Sequence, residues 1–121
     1  MTPFATILRR AVERTPNAIG GAFADADGEM VDSFARGDAV ELAVITAHYG
    51  VIMQHLVDAF GTRHFGSPEY FIAEHERLEV VVCAVHLGYF ALLASRQPAT
   101  ADIALDSALA AAAALKLEMG I

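Results

Sequence analysis

Five histidines are the residues of this sequence most able to support chemistry. His48 and His55 stand two turns apart in a predicted helix, roughly 10 Å by helix rise, which is too far for both rings to bind one ion. His75 and His86 end neighbouring predicted strands and could meet, but no cysteine or carboxylate spacing completes a metal site around them. We therefore expect no metal or other cofactor and interpret the histidines as turn or rim residues. A pH-sensing role stays open.

The potential nucleophiles give no enzyme pattern either. Cys83 lies inside an apolar run, where burial would raise the pKa of the thiol and hide its sulfur. Because it is the only cysteine, it cannot form an intrachain disulfide, and this favours a reducing, cytoplasmic location. The serines lack a neighbouring histidine and acid that would indicate a triad. The sequence therefore predicts a protein that is not an enzyme.

Two short segments resemble ligand-binding loops without meeting their requirements. Residues 25–28, DADG, begin like a calcium loop, but Met30 occupies the sixth position, where that loop needs glycine. Gly20 and Gly21 are followed by neither a phosphate-loop lysine nor the GxGxxG spacing of dinucleotide sites. We interpret the first segment as a plain turn and expect no nucleotide at the second.

Composition limits the classes of partner. The 121 residues suit a single domain, residues 1–121, with 55% hydrophobic and 19% charged residues. A formal charge of −7, with Lys116 as the only lysine, argues against nucleic acid and against an anionic membrane surface. Charged residues, histidine or glycine interrupt each apolar run before the ~18 residues of a membrane span, so we expect no membrane insertion. The excess apolar surface must then be buried in the core or against another protein.

The elements that position these residues begin with a helix. Thr2 is its predicted N-cap and Pro3 its first residue, and Pro16 lies beyond its end. Strands are predicted over Ala18–Ala24 and Glu29–Ala35, joined by the DADG turn. One face of the first strand is unusually flat and carries Ala18, Gly20, Ala22 and Ala24. We expect a helix to press against that face.

A long helix, capped by Asp38 and reaching Phe60, follows Gly37. Its wheel predicts an apolar core stripe of Leu42, Ile45, Tyr49, Ile52, Met53, Leu56 and Phe60. The opposite side should carry charge in a surface helix, yet it holds Val40, Ala43, Val44, Ala47 and Val51, mixed with His48, Gln54, His55 and Asp58. This composition predicts a second contact. The alternative, cover by loops of the same chain, is disfavoured because the connections are short.

The C-terminal half predicts three strands and a closing helix. The strands are Tyr70–His75, Leu78–His86 and Tyr89–Ser95, joined by short turns that favour antiparallel neighbours. Val80, Val81 and Val82 indicate a central strand covered on both faces. A last helix begins at Thr100 or Asp102. Its predicted core side holds Leu105, Ala108, Leu109 and Ala112, with Leu115 and Met119 at the margin.

The order α-β-β-α-β-β-β-α, of class α/β and more narrowly an α+β sandwich, resembles the roadblock/LC7 family and its bacterial stand-alone members. The resemblance covers essentially the whole chain. It is carried by residues 14–23, RTPNAIGGAF, by residues 25–31, DADGEMV, by the long helix, by the hairpin of residues 78–95 and by the alanine-rich last helix.

The resemblance implies a five-stranded antiparallel sheet, with the first and last helices on one face and the long helix on the other. Family members typically dimerise through the long helix and the third strand, here Val40–Asp58 and Tyr70–His75. The interface residues implied are Val40, Ala43, Val44, Ala47, Val51, Tyr70, Phe71 and Ile72. We further expect His48, Gln54, His55 and Asp58, on the exposed side of the long helix, to contact another partner.

Known family members are non-catalytic regulators or scaffolds of Ras-like small GTPases, or dynein light chains. The resemblance therefore implies a homodimer that binds a Ras-like small GTPase and changes its GTP hydrolysis or nucleotide exchange. The alternative is a structural, light-chain-like subunit with no effect on a nucleotide cycle. A third hypothesis is a small-ligand sensor, but the flat strand Ala18–Ala24 predicts tight packing without a pocket.

Overall fold

The computed structural model describes residues 1–61 and 65–121, so that His64 lies outside the described residues. The helices are α1 (Pro3–Arg14), α2 (Ala39–Phe60) and α3 (Ala101–Glu118). The strands are β1 (Ala18–Ala24), β2 (Met30–Ala35), β3 (Tyr70–Glu74), β4 (Leu78–His86) and β5 (Tyr89–Arg96). They form one antiparallel sheet in the order β2-β1-β5-β4-β3. The predicted fold class and element order are confirmed.

Two apolar layers hold the helices on the sheet. On one face, Leu8 and Val12 of α1 and Ala108 and Leu115 of α3 pack around Phe23. The other face carries α2, whose buried residues meet small side chains of β1 and apolar residues of β4 and β5. The central strand β4 is covered on both sides, as predicted, because its valine run 80–82 is fully buried.

Local chemistry sets the helix starts where the sequence predicts them. The Thr2 hydroxyl accepts a hydrogen bond from the Ala5 amide at 3.0 Å, which caps α1. The Asp38 carboxylate accepts bonds from the amides of Val40 and Glu41 at 2.9 and 3.2 Å, which caps α2. Thr100 occupies the N-cap of α3, but its side chain makes no capping bond.

The flat face of β1 lies against α2, as expected. A Cβ placed on Gly20 would stand 2.8 Å from a methyl of Leu42, so a larger residue there would force that leucine side chain to shift. The predicted alternation fails at the start of the strand, where the β1–β5 register shifts between Ala18 and Gly20. Because of this bulge, Ala18 packs with the α1–α3 layer and Ile19 with the α2 layer, the reverse of the prediction.

A second close approach joins α2 to the β1–β2 turn. Gly28 takes φ +81° there, and a Cβ on Gly50 would stand 2.8 Å from the Gly28 Cα. The helix therefore lies almost directly on the turn backbone. Gly50 accordingly belongs to the buried side of α2, although a hydrophobic pattern does not mark glycine as a core residue.

The predicted core stripes of α2 and α3 need correction. In α2, Thr46 and Gly50 are buried, whereas Ile52 and Phe60 are 42% and 45% exposed. In α3, Leu109 is exposed and Leu115 is fully buried, so the core face is rotated from the predicted one. The reason is the same in both helices. Close packing on a sheet of small residues selects small side chains at the contact and leaves larger ones at the flanks.

Within the described residues, α2 is the one helix long and apolar enough to span a membrane by length and composition, with 22 residues. The expectation that no segment reaches this length was wrong, because the scattered histidines and Gln54 do not offset its valines and leucines. Only 28% of its most apolar stretch of 18 residues is buried in the structure. Core helices of water-soluble proteins can have the same length and composition.

Candidate docking surface

The outer stripe of α2, defined as Val40, Ala43, Val44, Ala47 and Val51, is exposed along its whole length. Its valines are 73%, 50% and 54% exposed in chain order. A surface helix normally presents charged residues on this side. No loop among the described residues covers the stripe, so residues 1–61 and 65–121 give no support to the alternative of cover by the same chain.

The β3-facing side of α2 continues the apolar surface. Tyr49 points from α2 towards β3, where its ring lies 5.9 Å from the ring of Phe71. Its hydroxyl hydrogen-bonds to Nε2 of His75, and burial raises the pKa of Tyr49. Ile52 is three residues beyond Tyr49 and so shares that side of the helix. Its exposure places a further apolar residue between the outer stripe and β3.

β3 is the edge strand next to this surface. It pairs with β4 on one side only, so a row of its amide and carbonyl groups has no sheet partner on the other side. Its five residues, YFIAE, are mostly aromatic or apolar. The opposite edge, β2, contains Asp32, and its two faces contact α1 and α2. β3 is therefore the edge better suited to pairing with another strand.

The structure divides the three predicted interface residues of β3 between the two sheet faces. Phe71 lies on the α2 side, half buried against Tyr49. Tyr70 and Ile72 pair with Cys83 and Val81, which places them on the α1–α3 side, where both are exposed. Of the three, only Phe71 thus lies on the sheet face that carries α2. Tyr70 and Ile72 lie on the opposite face of the same edge strand.

The predicted partner-contact residues are only partly brought together. Gln54, His55 and Asp58 line a shallow groove of about 290 Å³ beside Asp27 of the β1–β2 turn. The Gln54 amide donates a 2.9 Å hydrogen bond to the Asp58 carboxylate. His48 lies outside this groove, with Nδ1 2.9 Å from the Val44 carbonyl oxygen. The groove is acidic and offers an exposed imidazole.

The histidine pair considered for metal binding does not meet. His75 lies in the β3–β4 turn, where its amide bonds to the Leu78 carbonyl at 2.7 Å. His86 ends β4, eight residues beyond Leu78, or about 26 Å at the usual rise of a strand. His75 and His86 therefore lie near opposite ends of β4. No cluster of metal-ligating side chains occurs in residues 1–61 and 65–121.

Two ionisable side chains are buried under α3. Burial raises the pKa of Cys83 to about 12, which keeps the thiol protonated and hidden. Glu79 is fully buried, and neither of its carboxyl oxygens has a hydrogen-bond partner among the described residues. Burial, reinforced by the Glu74 carboxyl on the neighbouring strand, raises the pKa of Glu79 to about 7. Sequence reasoning missed Glu79, although a glutamate inside an apolar strand is a visible signal.

A cavity of about 310 Å³ lies under the C-terminal half of α2. Its lining is mostly apolar and includes Met53, Val57, Pro68 and Phe90, with His86 among its few polar groups. The expectation of tight packing holds at β1, where Leu42 fills the space above Gly20. It does not extend to this end of the helix.

No protein-family model matches the sequence, and no curated protein matches it. Solved structures do match. A roadblock/LC7 domain from Streptomyces avermitilis aligns with TM-score 0.81 at 13% identity, over 96% of this chain and 97% of that one. MglC from Myxococcus xanthus aligns with TM-score 0.72 at 20% identity, over 97% and 99%. An MglB described as having a tetrameric arrangement aligns with TM-score 0.83 at 13% identity, over 96% and 88%.

The chain has the roadblock/LC7 fold. The matches cover nearly all of it, and at these identities they establish the architecture alone. In this roadblock fold the outer stripe of α2 and the open edge of β3 are neighbouring exposed surfaces. The Tyr49–His75 bond, which ties the helix to the end of β3, was not predicted from the sequence. The sequence offered only a tyrosine in the long helix and a histidine after the third strand, two elements that lie close together in the fold.

Proposed function

We propose that residues 1–121 are a single roadblock-type domain that acts in the cytoplasm as a non-catalytic, homodimeric regulator or adaptor of a Ras-like small GTPase. The observation that carries this proposal is the exposed outer stripe of α2. The resemblance noted in the sequence and the roadblock/LC7 fold support the assignment of that stripe to a second copy. One structure with this fold is itself described as a tetrameric arrangement.

The energetics favour a dimer that uses both the helix and the strand edge. Complete burial of one valine contributes ~1.5 kcal/mol, so the three valines from each of two copies would contribute at most ~9 kcal/mol. Association costs ~4–15 kcal/mol in lost freedom of motion. The outer stripe alone would therefore give a weak dimer. Pairing of β3 with its counterpart in the second copy would add backbone hydrogen bonds and bury Tyr70 and Ile72.

A role without catalysis agrees with the chemistry of the described residues. Cys83 is buried and protonated, and Ser95 is buried beneath the helices. The groove formed by Gln54, His55 and Asp58 offers hydrogen bonds and an acidic surface beside the dimer stripe. In the proposal these three residues contact the GTPase. In the proposal this surface binds and shapes the partner protein, and hydrolysis stays the chemistry of the GTPase.

The length and apolar composition of α2 raise the alternative that this helix inserts into a membrane. Insertion of α2 into a bilayer would remove Leu42, Tyr49 and Met53 from the sheet and expose the small residues of β1. It would also break the Tyr49–His75 bond. We therefore propose that the apolar length of α2 serves protein contact on one side and the core on the other.

The test uses a small GTPase that co-purifies with the protein from its native lysate. Its GTP hydrolysis and its nucleotide release are measured with and without the protein. We expect at least one of the two rates to change severalfold. The triple variant Gln54→Ala/His55→Ala/Asp58→Ala should lose this effect and keep the native oligomeric state. If the GTPase binds but neither rate changes, the regulator role is wrong and the structural-subunit alternative replaces it.

A further inference from the structure

A groove of about 210 Å³ runs between α1 and α3, on the sheet face opposite to α2. We define this α1–α3 groove by Ile7, Arg10 and Arg14 on α1 and by Ser107, Ala110 and Ala114 on α3. It is independent of the outer stripe, since the whole sheet separates the two surfaces. Dimerisation through α2 would leave it accessible.

The residue spacing along the groove has the period of helix-helix contacts. On α3 the series Ile103, Ser107, Ala110, Ala114 and Leu117 follows alternating steps of four and three residues. On α1, Ile7, Arg10 and Arg14 follow steps of three and four. A heptad-like seam of this kind is what a neighbouring helix packs against. Here residues with this spacing on both α1 and α3 line the same groove.

The apolar part of the seam has no cover. Leu117 is 75% exposed and Ile103 is 39% exposed, although both are large aliphatic residues. The residues between them are small, and the alanines would let a third helix approach closely. A single exposed leucine is ordinary, but a periodic apolar flank beside a groove is typical of a protein contact.

Charge identifies the kind of partner. The protein carries a net charge of −7, yet α1 holds three arginines and only one acidic residue, Glu13. Glu13 pairs with Arg9 at 3.0 Å. Arg10 and Arg14 form no ion pair with any residue that the structure describes. They lie one helical turn apart on the groove wall, and their positive charge is therefore available to a partner.

The Ser107 side chain also lines the groove. The residue is 6% exposed. Its side chain makes no hydrogen bond within residues 1–61 and 65–121. A carboxylate held between the arginines would accept a hydrogen bond from this hydroxyl.

We propose that the α1–α3 groove binds an amphipathic helix of another protein, with a seam of alanine and leucine flanked by aspartate or glutamate. The seam packs on Ile103, Ala110 and Leu117. The flanking carboxylates pair with Arg10 and Arg14, whose aliphatic stems lie along the groove. An acidic partner is thus recruited to a positive site on an otherwise acidic protein.

Other occupants fit less well. A second copy could fill the groove only with one of its own apolar helix faces. The apolar flank of its α3 lines its own groove, and the outer stripe of its α2 is assigned to the dimer. An anionic bilayer would be repelled by the net charge of −7. The acidic helix is the occupant that complements both the seam and the arginines.

The test is an NMR titration of the full, isotope-labelled protein with a synthetic helical peptide of about 20 residues, or ~30 Å in length. The peptide carries alanine and leucine at the seam positions and glutamate on both flanks. A second peptide carries lysine in place of each glutamate. We expect saturable binding of the acidic peptide, with amide shifts confined to α1 and α3. Binding of the lysine peptide should be at least tenfold weaker.

A charge-matched pair of variants controls the titration. Arg10→Glu/Arg14→Glu should weaken binding of the acidic peptide at least tenfold. Arg36→Glu/Arg77→Glu makes the same change of net charge at two exposed positions outside the groove and should leave binding within twofold. Equal binding of the two peptides, or shifts in α2 instead, would overturn the proposal. So would shifts at Ile7 and Ala110 that depend on protein concentration alone, or arginine-dependent binding to anionic vesicles without peptide binding.

Discussion

Glu79 lies between Glu74 of β3 and Ser95 of β5 on adjacent strands, and it is fully buried. A carboxyl group in this position is stable mainly in its protonated form, which agrees with a pKa raised to about 7. The Ser95 hydroxyl is also buried and has no partner within the described residues. We therefore expect the stability of the β3–β4–β5 part of the sheet to depend on pH.

The pH dependence follows from the sign of this shift. Because the folded pKa of Glu79 exceeds the value of the unfolded chain, its contribution is most favourable below about pH 4.5 and is lost as pH rises through about 7. The loss amounts to at most ~3 kcal/mol at ~1.4 kcal/mol per pKa unit. We expect Glu79→Gln to flatten the dependence of unfolding free energy on pH between 5 and 8, measured by urea denaturation.

Glu76→Gln is the control for this series, because Glu76 is exposed in the β3–β4 turn. It should leave the pH dependence close to that of the wild type. A wild-type stability that does not fall between pH 5 and 8, after correction by this control, would contradict the assignment of a raised pKa to Glu79.

Gly50 gives the sharpest steric prediction at the residue scale. A Cβ there would stand 2.8 Å from the Gly28 Cα and 3.3 Å from the Phe90 ring. Although alanine is the better helix former by ~1 kcal/mol, the clash should dominate. We expect Gly50→Ala to lower the free energy of unfolding by ~1–3 kcal/mol, measured in urea.

Gly37→Ala is the matched control for Gly50, since no atom lies within 4 Å of a Cβ at that position. It should be neutral or slightly stabilising. Equal stability of Gly50→Ala and wild type would mean that α2 does not lie on the β1–β2 turn as described.

At the scale of elements, the two long helices differ in how they begin. Asp38 caps α2 with two side-chain bonds, whereas Thr100 caps α3 with none. We therefore expect Asp38→Ala to destabilise the protein by ~1 kcal/mol and Thr100→Ala by less than half of that. Thermal or urea unfolding of the two variants, compared with wild type, measures the difference. A larger loss for Thr100→Ala would contradict the capping scheme.

The sequence allowed the elements to be predicted because each one begins and ends with local chemistry. Thr2, Asp38 and the Asp-Gly turn before Met30 determine starts and turns without help from the rest of the fold. Hydrophobic periodicity then identified which elements exist and in what order. The resemblance supplied the arrangement of helices on the sheet, which periodicity alone does not determine.

The faces of the helices were harder to predict than their bounds. Thr46 and Gly50 are buried because α2 approaches the small residues of β1 closely, and no hydropathy pattern marks threonine or glycine as core. Ile52 is exposed because α2 covers β1, β2 and β5 and leaves its β3-facing flank open. Such errors arise because burial depends on how closely each part of the helix approaches the sheet. A helical wheel does not contain that distance. The outer stripe is exposed, and its contact with a partner stays a prediction.

At the scale of the whole molecule, two opposite faces carry unsatisfied apolar surface of different character. The α2 face is neutral to acidic and continues to an open strand edge. The α1–α3 groove is lined by arginines. This separation would allow one protein to join a second copy and a further partner at once, which suits an adaptor. The prediction of function from sequence depended on the resemblance, since no catalytic residue pattern directs it.

Sedimentation equilibrium at micromolar concentration tests whether a second copy covers the outer stripe of α2. We predict a mass twice the 12.9 kDa of the chain for the wild type and a single-chain mass for a Val44→Glu variant that still unfolds cooperatively on heating. The control Ala113→Glu, which adds the same charge at an exposed position of α3, should remain a dimer. A monomeric wild type, or a folded Val44→Glu that stays fully dimeric, would contradict the account.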